Sequence, residues 1–113
     1  MAAANYDILI EQGATFNLTI RWKDKDGEPI DLTGFDARMQ IRKSFASDEI
    51  VSLTSDDGIT LGGALGTIEI NIDADTTEEL DIRRGVFDLE LINAGVVNRL
   101  IQGSVNITPE VTK

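Results

Sequence analysis

Alternation of apolar and polar side chains is the feature that most limits how this chain can fold. In the segment TFNLTIRW, every second residue is apolar from Phe16 to Trp22. The same alternation recurs in the segments FDARMQIR (35–42), TIEINI (67–72) and GVFDLELI (85–92). Because successive side chains of a β-strand point to opposite faces, this spacing predicts four strands, each with one buried face.

The rest of the chain adds weaker strands and one segment of a different kind. Shorter candidate strands cover residues 6–11, 50–54, 97–102 and 104–108, with Gly-, Asn- and Asp-containing turns between the strands. The chain is therefore expected to be all-β, an antiparallel β-sandwich of about seven to nine strands. The segment DADTTEELDIRRG offers Asp75 or Thr76 as an N-cap and places Arg83 and Arg84 at its end, so we expect one short helical turn near residues 75–81 that links the two sheets.

Composition limits the chemistry that is open to the chain. It has 113 residues, enough for a single sandwich domain over 1–113, and we expect residues 1–4 and 109–113 to be flexible arms. It contains no histidine and no cysteine, which removes the commonest general base, the thiol nucleophile and most transition-metal ligands. Neighbouring carboxylates fall in exposed loops or on the helical turn. We therefore predict a protein that is not an enzyme and uses no metal or cofactor.

Charge and hydropathy bear on the partners. The net charge of −10 repels phosphate, so nucleic acid is not expected as a partner. No run approaches the roughly 20 apolar residues of a membrane span, and the first residues lack the basic and apolar regions of a signal peptide. We expect a soluble, uncleaved protein that does not enter a membrane.

The stretch DGEPIDLTG joins the first two strongly alternating segments. Its carboxylates lack the spacing of a calcium loop, because Gly27 comes too early and Pro29 interrupts. We interpret it as two tight reversals, the second an Asx turn at Asp31 with Leu32 buried beneath it. The predicted structural turn residues are Asp26, Gly27, Asp31, Leu32, Thr33 and Gly34.

One basic cluster stands out in this acidic chain. Arg38 and Arg42 lie on the polar face of one predicted strand, and Lys43 follows them. These three are candidate contacts for an acidic partner surface; the alternative is that they balance acidic side chains on neighbouring strands. The loops 43–49 and 62–66 are further candidate contacts. Trp22 is expected to be a core residue rather than a ligand platform.

Two blocks of sequence resemble a known family. GEPIDLTGFDARMQIR (27–42) and GVFDLELINAGVVNRLIQGSVNITPEVT (85–112) are similar to small virion proteins of tailed bacteriophages and to the N-terminal attachment domains of phage baseplate and tail-fibre proteins. The shared features are a D-x-D-G turn, a Pro/Ile-Asp-Leu-Thr-Gly step and, in the second block, a Phe/Tyr-Asp-Leu strand and a closing Pro-Glu-Val-Thr. The match spans residues 12–112.

The resemblance implies an immunoglobulin-like β-sandwich with an architectural role. The expected function is that of an adaptor, docking to neighbouring virion proteins in the tail, baseplate or head-to-tail region. The expected partners are other virion proteins, together with self-association, and the expected location is the virion after synthesis in the host cytoplasm. Two alternatives stay open: a capsid decoration protein and a carbohydrate-binding adhesion module.

Overall fold

The computed structural model describes residues 3–111, which form nine strands, one short α-helix and one 3₁₀ turn. The strands are β1 (Ala4–Asn5), β2 (Ile8–Glu11), β3 (Phe16–Arg21), β4 (Asp36–Arg42), β5 (Glu49–Ser55), β6 (Gly58–Leu61), β7 (Thr67–Ile72), β8 (Arg84–Asn93) and β9 (Val96–Thr108). The helix α1 spans Ala74–Glu78 and the 3₁₀ turn spans Gly63–Leu65. Within this described part of the chain, no helix is long and apolar enough to cross a membrane.

Hydrogen bonds join all nine strands in the order β1-β9-β8-β4-β5-β6-β7-β3, and β2 also pairs with β9. We call β1, β2, β9, β8, β4 and β5 the large half-sheet, and β6, β7 and β3 the small half-sheet. The chain passes between them after β5, where Asp56 and Gly58 have positive φ angles of 70° and 95°. Inward side chains of both half-sheets belong to one hydrophobic cluster, so the curled sheet packs as a sandwich.

The rows that the sequence pattern predicted to face inward make most of the core. In β4, β7 and β8 these side chains are at most 4% exposed: Ala37, Met39, Ile41, Ile68, Ile70, Ile72, Phe87, Leu89 and Leu91. Two further core residues, Leu32 and Leu80, are each 2% exposed and come from connecting segments. Trp22 is half-buried and meets Phe35 edge to face, with ring centroids 6.1 Å apart.

The first strands run parallel to the last one. Ala4 and Asn5 pair with Ile101 and Gln102, and then β2 pairs with Val105 to Thr108. Between these two pairings the chain runs very close to β9 at Gly103, where a Cβ atom would lie 2.0 Å from the Tyr6 carbonyl oxygen. The Asp7 carboxylate then accepts the Ser104 N–H at 3.0 Å. Glycine at 103 is what permits this approach.

Helix α1 begins earlier than predicted. Its N-cap is Asp73, whose backbone is extended and whose Oδ1 accepts the Thr76 N–H at 2.9 Å. The prediction of Asp75 or Thr76 as N-cap was wrong, because those residues lie inside the helix, where a side chain cannot reach forward to the first free N–H groups. The helix ends at Glu78 with no basic residue in its last turn, and Arg84 instead begins β8.

The all-β architecture predicted from the alternation is confirmed, with differences in detail. The candidate strands at 97–102 and 104–108 form one strand, β9, whose register with β8 shifts near Leu89. Strand β6 was not predicted. Neighbouring strands are antiparallel except for β1 and β2 against β9 and for β5 against β6. As expected, the short helix connects the two half-sheets, since it lies between β7 and β8.

The predicted arms fall partly within the described residues. Ala4 belongs to β1, and the Glu110 N–H donates to the Gln12 side-chain oxygen at 3.0 Å. The same Gln12 amide donates to the carbonyls of Glu78 and Leu80, at 3.0 and 2.9 Å. This side chain therefore ties the end of β9 to helix α1. Residues 1, 2, 112 and 113 lie outside the described range.

Candidate functional site

The outer face of the large half-sheet contains a groove, which we call the central groove. It is a depression of about 360 Å³ over the middle of β4, β8 and β9, with the loop between β4 and β5 at one end. Most of the side chains that line it come from outward-pointing, polar positions of the three strands, and Phe45 comes from that loop. The charged and aromatic side chains among them include Arg38, Arg42, Phe45, Asp88, Glu90 and Arg99.

Arginines and carboxylates alternate across the floor of the groove. Arg38 on β4 lies opposite Glu90 on β8, and its Nε lies 2.6 Å from Glu90 Oε1. Arg99 on β9 lies opposite Glu90 on the other side, and its Nε is 3.4 Å from Asp88 Oδ2. Cross-strand neighbours of opposite charge stabilise a sheet, and here they form a network over three strands. Every carboxylate on this floor thus faces a guanidinium group.

Arg42 fastens the loop at the end of the groove. One of its guanidinium nitrogens donates to the carbonyl oxygen of Ser47, and the other donates to the Gln40 side-chain oxygen at 2.8 Å. Glu49 lies within 3.6 Å of the same group. The loop held in this way presents Phe45, whose side chain is 87% exposed, at the rim of the groove.

The position of Asp88 in the groove raises the pKa of its carboxyl. The main cause is partial burial, which disfavours the charged form, and the charge of the nearby Glu90 acts in the same direction. The guanidinium of Arg99 opposes both effects but does not outweigh them. The groove therefore holds one carboxylate in an unfavourable environment.

The structure places the predicted basic cluster at this groove. Arg38 and Arg42 line it, and both lie close to acidic side chains of neighbouring strands. This is the arrangement expected under the alternative interpretation, in which these arginines balance acidic side chains within the sheet. Lys43 is exposed at the start of the loop, beside Arg42. Phe45 and Arg99 were not singled out from the sequence. Arg99 lies 61 positions after Arg38, so only the pairing of both strands with β8 reveals that they share a surface.

The first reversal of DGEPIDLTG is arranged around Asp24 rather than Asp26. Asp24 Oδ1 accepts the N–H groups of Asp26 and Glu28, at 2.8 and 3.0 Å, while its carbonyl oxygen accepts the Gly27 N–H. Gly27 has a φ of 82°, a conformation that favours glycine. Asp26 lies in the turn with its side chain exposed. No residue of this stretch is among those that line the central groove.

The second reversal surrounds Leu32. Asp31 Oδ1 accepts both the N–H and the hydroxyl of Thr33, at 2.9 and 2.6 Å, and these bonds lower the pKa of the Asp31 carboxyl. The Leu32 carbonyl oxygen accepts the Phe35 N–H, and Gly34 has a φ of 85°. Leu32 also donates its N–H to the Gly63 carbonyl oxygen at 2.9 Å, which links the reversal to the 3₁₀ turn.

The other candidate contact loop, residues 62–66, lies at the 3₁₀ turn. It is anchored by Gly66, where a Cβ atom would lie 2.7 Å from the Trp22 carbonyl oxygen. Its one large apolar side chain that reaches solvent is Leu65, which is 70% exposed. The loop lies outside the central groove and offers a single contact residue.

The comparisons with known proteins bear on the fold. No family model matches the chain, and no curated protein matches it in sequence. Among solved structures, it is similar to a chain from "Structure-based site-directed photo-crosslinking analyses of multimeric cell-adhesive interactions of VGSC beta subunits", with a TM-score of 0.53 and 14% identity over 92% of each chain. At this identity the likeness shows the fold alone. The chain therefore has an immunoglobulin-like β-sandwich fold.

Proposed function

We propose that this chain is a non-enzymatic structural protein of a tailed phage virion. It docks to a neighbouring virion protein as an adaptor in the tail, baseplate or head-to-tail region. The two sequence blocks at 27–42 and 85–112 support this location by their resemblance to attachment domains. Much of the first block forms β4 and much of the second forms β8 and β9, the strands that carry the central groove.

The observation that carries the docking role is the composition of the central groove. Exposed aromatic residues and arginines are enriched where proteins bind one another, and the groove places Phe45 beside three arginines. Phe45 is fixed by the bonds of Arg42 to its loop rather than by contacts of its own, so its ring is free to enter a pocket of a partner. The alternating charges on the floor favour a partner surface with the complementary alternation.

The same geometry supports a binding role rather than catalysis. The carboxylates of Asp88 and Glu90 each face an arginine, and the chain has no histidine or cysteine that would act as base or nucleophile. An acid and base pair on sugars needs two carboxyl groups across an enclosed cleft. Here both lie on the floor of an open groove.

The proposal is tested in the particle itself. Phage genomes carrying Phe45→Ala with Arg99→Glu would be propagated, and the number of copies of this protein per purified virion measured by quantitative mass spectrometry. We expect the wild-type protein at a constant copy number and the double variant reduced at least about tenfold, since loss of one hot-spot residue costs about 1.4 kcal/mol or more. Val96→Ala, at the tip of the β8–β9 hairpin, is the matched control and should leave the copy number unchanged.

The outcomes separate the alternatives. Absence of the wild-type protein from virions would refute a structural role. Labelling of particles in electron microscopy would distinguish an adaptor in the tail from a decoration protein on the capsid. Leu65→Ala tests the loop 62–66 as a second contact.

A carbohydrate-binding role is the second candidate, because an exposed ring beside polar groups also suits a sugar. Phe45 is the observation that favours it. Binding on a glycan array that Phe45→Ala abolishes would support this role and count against protein docking through the groove.

A further inference from the structure

Strand β3 forms an open edge of the sheet. It ends the order of strands and pairs on one side with β7, from Phe16 opposite Ile72 to Arg21 opposite Thr67. Within residues 3–111, no strand pairs with its other side. The N-terminal strands, which lie next to β3 in sequence, pair with β9 of the other half-sheet instead. An edge strand of this length presents unpaired backbone groups that another strand is able to bind.

The directions of the backbone N–H and C=O groups of β3 show which of them do not bond to β7. The Trp22 N–H donates to the carbonyl oxygen of Gly66, which directly precedes β7. In an antiparallel pair, the N–H and C=O of alternate residues point to the same neighbour. The even-numbered residues of β3 therefore bond to β7. The N–H and C=O groups of Asn17, Thr19 and Arg21 point away from it.

The inward side chains of β3 are incompletely covered. Phe16, Leu18 and Ile20 are half-buried, although they pack on the core. Their cross-strand partners on β7, the isoleucines at 72, 70 and 68, are each at most 1% exposed. The difference between adjacent strands means that the sandwich is open on the side beyond β3. One more strand with apolar residues at alternate positions would cover this row.

Charge indicates which kind of strand fits. The chain has a net charge of −10, yet the outward positions of the small half-sheet carry one acid and one base, Glu69 and Arg21. Their other outward residues are uncharged: Asn17, Thr19, Thr60, Thr67 and Asn71. This neutral surface is where two copies of an acidic chain approach each other with little repulsion. An acidic partner would find only Arg21, which already lies diagonal to Glu69.

We propose that β3 pairs with β3 of a second copy of this chain, antiparallel and about a two-fold axis at Thr19. In this register Thr19 faces Thr19 of the second copy, and Asn17 faces Arg21. Every outward N–H and C=O of the three residues is then bonded, apolar side chains oppose apolar ones, and no like charges meet. A two-fold axis at Leu18 would also match the faces, but it leaves Arg21 without a strand residue opposite. The contact uses one patch on both copies, as a two-fold dimer requires.

The oligomeric state of the purified chain tests this contact. Because no virion protein is present in the measurement, the outcome is independent of the proposed function. Sedimentation velocity would be run on the full chain from about 1 μM to about 1 mM, because a single strand pair buries little surface and gives a weak dimer. We expect a reversible monomer–dimer equilibrium in this range. A chain that remains monomeric throughout would overturn the proposal.

Two matched lysine variants locate the contact. Thr19 and Thr60 lie on opposite sides of Glu69, each directly across from it, and both are exposed. A lysine at either site gains the same acidic neighbour, so both variants should fold with unchanged circular dichroism. Thr19→Lys places two cations opposite each other in the dimer and should raise the dissociation constant at least tenfold, whereas Thr60→Lys should leave it unchanged. Equal effects, or none, would refute a contact through β3.

Cross-linking tests the register, since the chain has no cysteine of its own. In the proposed dimer, Thr19→Cys brings two thiols together across one strand spacing, within reach of a short bis-maleimide. Thr60→Cys places them five spacings apart, about 24 Å, because β7 and β3 of both copies lie between. We expect a cross-linked dimer for the first variant and a monomer for the second. Cross-linking of both, or of Thr60→Cys alone, would contradict this arrangement.

Discussion

Leu32 shows how a single residue outside the strands completes the core. It lies beneath the Asp31–Gly34 reversal and is 2% exposed, and its N–H is bonded to Gly63. It belongs to the hydrophobic cluster of the sandwich, whose close-packed side chains relax only partly into the space that a smaller residue would leave. The reversal therefore fixes a core residue as well as the path of the chain.

Truncation of this side chain measures that role. Leu32→Ala should lower the free energy of unfolding by about 2 to 4 kcal/mol, from lost burial and the remaining cavity. Urea denaturation followed by fluorescence of Trp22 measures the change. Leu65→Ala removes the same atoms from an exposed site and should cost less than about 0.5 kcal/mol. A loss this small for Leu32→Ala would contradict its placement in the core.

The carboxyl of Asp88 gives the groove a pH dependence. Its folded-state pKa is raised above the unfolded value, so folding favours the protonated form, and the resulting stabilisation is present below the unfolded pKa and lost as pH rises through the folded one. We expect Asp88→Asn to be more stable than wild type at pH 7, with the difference closing as the pH falls to about 3. Asp48→Asn removes the same charge from an exposed loop; if it shows an equal gain, net charge and not the groove is responsible.

At the scale of the elements, helix α1 depends on its N-cap. Asp73 binds the Thr76 N–H, and this bond lowers the pKa of the Asp73 carboxyl. Asp73→Ala should lower the free energy of unfolding at pH 7, because the Thr76 N–H loses its acceptor. A lowered folded-state pKa means that this contribution is present above the unfolded pKa and lost as pH falls through the folded one, so the difference from wild type should shrink in acid. Asp75→Ala, two residues later and inside the helix, is the control and should cost less.

The close approach of the N-terminal segment to β9 depends on Gly103. A methyl group there would meet the Tyr6 carbonyl oxygen, a backbone atom that cannot rotate away. Gly103→Ala should therefore destabilise the fold by about 1 to 3 kcal/mol, as overpacking does. In a chain that begins at Ile8, the same substitution should cost much less, because the obstructing carbonyl is gone. Equal costs in both backgrounds would show that the contact with Tyr6 is not the cause.

Several elements were predictable from the sequence because their information is local. Each of the four alternating segments predicts a strand, since burial of one face of a strand gives the sequence a period of two. Strand β6 was not predicted because it has only four residues. It also begins at a glycine, at the point where the chain leaves the large half-sheet for the small one. The two pieces of β9 looked separate because Gly103 interrupts the alternation, yet the reason for that glycine is a contact with Tyr6, nearly a hundred residues away.

The candidate groove was less accessible to prediction than the fold. Arg38 and Arg42 were found because they share one strand, so their common face follows from periodicity alone. Asp88 and Arg99 join them only through the pairing of β4 with β8 and of β8 with β9. Phe45 is exposed on a loop to which Arg42 donates a hydrogen bond at Ser47, and a sequence pattern does not contain such a bond. Assembly across strands, rather than residue type, produced the site.

For the whole molecule, the excess of acidic residues opposes compaction. The chain carries 20 acidic and 10 basic residues, so we expect repulsion between carboxylates to outweigh the attraction of its ion pairs. Raising NaCl from about 20 mM to about 500 mM shortens the range of this repulsion and should raise the midpoint of thermal unfolding by a few degrees. The effect should vanish near pH 4.2, the isoelectric point. A midpoint that falls with salt at pH 7 would mean that the ion pairs dominate.

The parallel pairing of β2 with β9 also determines how the molecule resists mechanical load. Ile8 enters beside Val105, whereas β9 continues past Ile107 to Thr108, so the two chain ends leave this pairing in opposite directions. Tension applied through the ends slides one strand along the other and strains all their hydrogen bonds at once, instead of peeling them apart singly. Pulling in an optical trap should accordingly give a single high-force rupture, a property that would suit the docking role proposed for this chain.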